Sequence, residues 1–107
     1  MPLEVSTTPP EAVARSATLL AVAADPLRWR LLRLLEAGPT CVCELQRACD
    51  VPANLLSYHL RVLREADLVT ASRRGRWIDY ALAEDAGTRL AAALPIRAGA
   101  WEVGDRS

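Results

Sequence analysis

Asn54, Ser57, Tyr58 and Arg61 stand at i, i+3, i+4 and i+7, the spacing that gathers side chains on one face of a helix. Arg64 extends the exposed side. Short hydrogen-bonding groups beside an arginine fork suit a major groove. Ser57 can bond a base or a phosphate, Tyr58 offers a hydroxyl and a ring, and Arg61 can fork onto guanine or hold a phosphate. The plain alternative is an ordinary solvated helix face. A second cluster follows, where Arg73, Arg74 and Arg76 surround Gly75. An arginine-rich hairpin tip can track a phosphate backbone and enter a narrow minor groove. Charged loops are also common on hairpins of any function. His59 is the only histidine. Leu55, Leu56, Val62 and Leu63 share its face, so it packs at a core edge with one ring nitrogen bonded and the other near a phosphate, rather than on a metal.

Three cysteines, Cys41, Cys43 and Cys49, are clustered in nine residues. An odd, clustered set is not a disulfide framework, and Cys41 and Cys43 are too close in sequence to staple a fold. Reduced thiols point to the cytosol. The start of the chain lacks the basic and apolar blocks of a secretory signal, and no apolar run reaches the length of a membrane span. There is no Ser/His/Asp set and no phosphate-binding glycine loop, which argues against an enzyme.

The elements that must carry these residues are legible in the periodicity. Residues 1–8 form a polar arm. A helix opens at Pro9-Pro10, with Val13, Ala17, Leu20 and Ala24 as one apolar stripe. Asp25 caps a second helix with Pro26 at its first position. Leu27, Leu31, Leu34 and Leu35 face inward there, Arg28, Arg30 and Arg33 face outward, and Gly38-Pro39 stops it. Thr40 caps a short third helix over about 41–49. After the Asp50-Val51-Pro52 turn, a fourth runs from about Ala53 to Ala66, with Leu56, Leu60 and Leu63 on its core side. The period then shifts from 3.6 to 2. Leu68–Ala71 and Trp77–Leu82 read as strands around the loop 72–76. A last helix spans about 84–94, with Ala86, Leu90, Ala93 and Leu94 as its stripe. A tail over 95–107 contains Trp101. The expected fold is mostly α (α+β): a winged helix-turn-helix of about five helices with a two-stranded β-hairpin wing, in one domain over 9–94.

The chain has 107 residues, thirteen of them basic and thirteen acidic. A net charge of zero counts against a nucleic-acid partner. Its distribution does not: residues 51–80 hold five arginines against three acids. All thirteen basic residues are arginine. A winged-helix module that binds only proteins is the competing class, but it would need neither the polar stripe nor the arginine wing.

Several motifs now resemble one family. Ala24-Asp25-Pro26-Leu27-Arg28, followed by Arg30-Leu31-Leu32, resembles the ADPxRxxIL signature of ArsR/SmtB-type regulators. Cys41-Val42-Cys43-Glu44-Leu45 resembles that family's CVCDL metal box, and Leu56-Ser57-Tyr58-His59-Leu60 its VSxHL recognition motif. Arg64-Glu65-Ala66-Asp67-Leu68-Val69 resembles LRxAGLV, and Gly75-Arg76-Trp77-Ile78-Asp79-Tyr80 the GRxxxY wing. The match covers about residues 15–94. The resemblance implies a homodimer paired through the first and last helices. Such a dimer binds double-stranded operator DNA and usually represses, releasing it when a metal or metalloid ion binds. The DNA-contacting residues would be Asn54, Ser57, Tyr58, His59, Arg61, Arg64, Arg73, Arg74 and Arg76. The metal ligands would be Cys41 and Cys43, which sit about 200° apart on a regular helix, so that sharing an ion means unwinding its first turn. Gln46 stands where some arsenic sensors have another cysteine, and Glu84-Asp85 on the last helix lack the histidines of the family's other site. The alternatives for these thiols are a redox switch or small residues that only pack the helix, and for the chain a winged-helix regulator without its own metal sensing, controlled by another effector or a co-regulator protein.

Overall fold

The computed structural model describes residues 9–96. The expected arm over 1–8, and Trp101 with the rest of 97–107, lie outside the described residues. Five helices and three strands follow in the order α1 (Pro10–Ala24), α2 (Pro26–Leu35), β1 (Thr40–Cys41), α3 (Val42–Cys49), α4 (Ala53–Glu65), β2 (Val69–Arg74), β3 (Trp77–Leu82) and α5 (Ala86–Ala93). This is the winged helix-turn-helix expected from the periodicity, with one strand more than foreseen.

Local chemistry sets the boundaries. The Asp25 carboxylate accepts from the backbone N–H groups of Leu27 and Arg28, at 2.9 and 3.1 Å, and so caps α2. The Arg28 N–H bond is the largest of the causes that stabilise the charged form and hold the Asp25 carboxyl below its ordinary pKa. At the far end of α4, Asp67 takes a left-handed backbone (φ 59°). Its N–H bonds the Arg64 carbonyl and the Leu68 N–H bonds the Leu63 carbonyl, which closes a Schellman motif. The buried side chains of Leu63 and Leu68 belong to one core cluster under that turn.

Three arginines hold the helices together. Arg28 Nε donates to the Val22 carbonyl in the last turn of α1, at 2.6 Å. Arg30 donates to the Ala48 carbonyl in the last turn of α3, at 2.7 Å. Arg89 on α5 donates to the Ala66 and Asp67 carbonyls beyond α4, at 3.0 and 2.7 Å. Each places a cation where helix carbonyls are unpaired and the helix dipole is negative. Arg28 was expected to face outward; it is half-buried, because a guanidinium on a long stem can reach back across a helix end.

Leu31, Leu35, Leu45, Leu56, Leu60, Leu63 and Leu68 are fully buried and join α2, α3 and α4 in one core. Each such leucine contributes roughly 1.5–3 kcal/mol through burial. The apolar stripe of α1 does not face the core of its own chain. Ala23 is buried and Leu19 and Val22 pack on the core, while Val13, Ala17 and Ala24 are exposed and Leu20 is half-buried. Val13, Ala17 and Leu20 line an open apolar groove with Ala92, Ala93 and Leu94.

The sheet is antiparallel, in the order β1-β3-β2. β2 runs to Arg74, beyond the expected Ala71, so the wing turn is only Gly75-Arg76. Gly75 carries a φ of 63°, a conformation that suits glycine in a two-residue hairpin turn. Among the described residues no helix is long and apolar enough to cross a membrane.

Candidate nucleic-acid interface

The fourth helix presents its polar stripe to solvent. Asn54, Ser57, Tyr58, Arg61 and Arg64 are all exposed, while Leu56, Leu60 and Leu63 are buried behind them. The preceding turn is held by Gln46, whose amide donates to the Val51 carbonyl. Arg61 lies 5.5 Å from the Tyr58 ring centroid, in cation–π range, and 4.0 Å from Glu65 on the next turn. Both contacts are exposed, so the guanidinium stays available to another acceptor.

His59 is on the other side. It is 8% exposed, and its Nδ1 lies 2.8 Å from Arg28 Nη1. Arginine can only donate, so Nδ1 accepts in this contact. The expected core-edge packing with one bonded nitrogen is what the geometry gives. Arg28, which sequence reasoning assigned to solvent, is the partner. It links the recognition helix to α2 and to the end of α1.

In the wing, Arg73 and Arg76 are exposed, and neither has a carboxylate partner among the described residues. Arg74 differs. Its Nε and Nη2 donate to the two carboxylate oxygens of Asp79, at 2.9 and 3.0 Å. The forked hydrogen bonds lower the Asp79 pKa and raise that of Arg74.

The cysteines depart furthest from expectation. Cys41 and Cys43 are joined as a disulfide, with Cα atoms 5.3 Å apart. Of the three thiols expected to be reduced, Cys49 alone is free; it is buried, and burial pushes its thiol pKa up. Cys41 is not helical, so the separation of about 200° on a regular helix does not apply. It is the extended N-cap of α3 (φ −75°, ψ 153°), and it pairs with Asp79 of β3. Thr40, the expected cap, instead donates its hydroxyl to the Gly38 carbonyl. The two sulfurs can therefore meet with no unwinding of the helix. Among the described residues no group of three or more metal-ligating side chains converges.

Comparison with known proteins decides the family. Residues 25–71 match the family described as "Bacterial regulatory protein, arsR family". The chain is 39% identical over 97 residues to the biofilm growth-associated repressor of Agrobacterium fabrum, covering 87% of this chain and 83% of that one. The chain belongs to the arsR family. As a member it is a regulatory protein and not an enzyme. It is also 38% identical over 63 residues to the arsenical resistance operon repressor of Bacillus subtilis, spanning 60% of that protein's length. Among solved structures, a possible transcriptional regulator for arsenical resistance superposes with a TM-score of 0.66 at 40% identity, covering 69% of this chain and 77% of that one. NolR from Sinorhizobium fredii superposes with a TM-score of 0.70 at 26% identity, covering 83% and 92%. The arsR match ends within β2, so the wing arginines lie beyond the matched segment.

Proposed function

We propose that this arsR-family chain is a cytoplasmic, homodimeric, sequence-specific repressor that reads operator DNA with α4 and the wing. Asn54, Ser57, Tyr58, Arg61 and Arg64 meet base edges and phosphates in the major groove. Arg73, Arg74 and Arg76 contact the backbone alongside, and the buried His59 holds the helix against Arg28. The observation that carries this reading is the exposed polar face of α4, backed by buried leucines and followed by an arginine-tipped hairpin. The dimer forms through the open apolar groove of α1 and α5. Repression is relieved when a thiophilic metal or metalloid ion binds the reduced Cys41 and Cys43. The arsenical-resistance names of several relatives support that effector class.

We infer that effector and reader are coupled through the sheet. Cys41 pairs with Asp79 across the β1–β3 ladder, and Asp79 holds Arg74 of the wing. The test is titration of the reduced protein onto a duplex carrying its own upstream region, with and without arsenite. Arsenite should release the wild-type chain, and Cys41→Ser with Cys43→Ser should abolish the release. Normal release of that variant would overturn the thiolate site.

A further inference from the structure

Arg74 is the wing arginine with an internal partner. Asp79 faces Ser72 across the hairpin, and Arg74 faces Trp77, so the carboxylate and the guanidinium are diagonal neighbours on one side of the ladder. The side chain of Asp79 is 18% exposed and that of Arg74 is 67% exposed. The carboxylate is thus held within the sheet while the guanidinium sits at the solvent edge. Both carboxylate oxygens are engaged in a forked pair. A phosphate presents the same acceptor geometry to an arginine.

We propose that Asp79 is a specificity-determining residue that competes with DNA phosphate for Arg74. The inference rests on the DNA-binding reading above. An exposed ion pair is weak enough to be exchanged. The exchange is favourable when a phosphate is held in register by the recognition helix on a matching site. On unrelated DNA, phosphates pass the wing without that alignment, and Arg74 stays on Asp79. Only Arg73 and Arg76 then serve loose binding. Asp79 therefore lowers affinity for non-operator DNA more than affinity for the operator, a useful bias where non-specific sites are in vast excess.

The experiment compares wild type, Asp79→Asn, Arg74→Ala and the double variant on two duplexes, one carrying the upstream region and one of scrambled sequence, each over a salt series. Asp79→Asn keeps the side-chain shape, and a thermal melt checks that it folds. It should tighten binding to the scrambled duplex several-fold and steepen its salt dependence by about 0.9 logarithmic units per freed arginine. Operator binding should change less, so the specificity ratio falls. In the Arg74→Ala background the same substitution should do nothing. A gain that persists without Arg74 would mean simple loss of negative charge and overturn the proposal. So would an unchanged scrambled-duplex affinity in Asp79→Asn while wild type binds its operator normally. Failure of wild type to bind either duplex would instead bring down the DNA-binding reading and this inference with it.

Discussion

Arg28, Arg30 and Arg89 bond helix-end carbonyls, Arg74 bonds a carboxylate, and Arg73 and Arg76 point into solvent. One residue type therefore both builds the fold and faces the ligand. The sequence shows thirteen arginines and no way to separate the two uses, because helical spacing locates a Cα and not the end of a long side chain. Asp25 is the residue where stability is most directly testable. Asp25→Ala removes both cap bonds and should cost about 1 kcal/mol by chemical denaturation. The folded pKa of Asp25 is depressed. Its contribution is fully present above the unfolded-state carboxyl pKa and is lost as pH falls through the lower folded one. The difference between wild type and Asp25→Ala should accordingly shrink below the ordinary carboxylate range and stay constant around neutrality.

At the scale of elements, the recognition helix was legible and the start of α3 was not. Leu56, Leu60 and Leu63 repeat at helical spacing over a segment long enough to fix both its existence and its faces. β1 is two residues long and has no period of its own. It exists because Thr40 and Cys41 find Tyr80 and Asp79 across the sheet, a contact about forty residues away in sequence. Extended by that pairing, Cys41 lies beside Cys43 rather than across a helix from it. Periodicity also found the α1 stripe but not its direction, since an apolar stripe looks the same whether it meets its own core or a second chain. The end of α4 offers a sharper test. Asp67 stands where the family pattern has glycine and holds a left-handed φ of 59°. Asp67→Gly should stabilise the fold by roughly 0.5–1 kcal/mol, as a raised melting temperature, because it removes the Cβ penalty of that conformation. An unchanged or lowered melting temperature would mean that the Asp67 side chain offsets the strain.

For the whole molecule, a net charge of zero gives way to a polarised surface, with exposed arginines along α4 and the wing and an apolar groove formed by α1 and α5. If that groove seats a second copy, Leu20→Glu should convert a dimer to a monomer in sedimentation and weaken operator binding steeply, since two half-sites would no longer be engaged together. Two recognition helices in one dimer would meet successive major grooves about 34 Å apart on an inverted repeat. On the function proposed above, α4 and the wing read DNA. The most direct measurement is a salt-dependent titration of the chain's own upstream duplex with wild type and with an Arg61→Ala, Arg73→Ala, Arg76→Ala variant of unchanged melting temperature. Wild-type binding should be saturable and weaken linearly in log–log salt, and the variant should show much lower affinity and a flatter slope. Equal affinity and slope for the two proteins would contradict it.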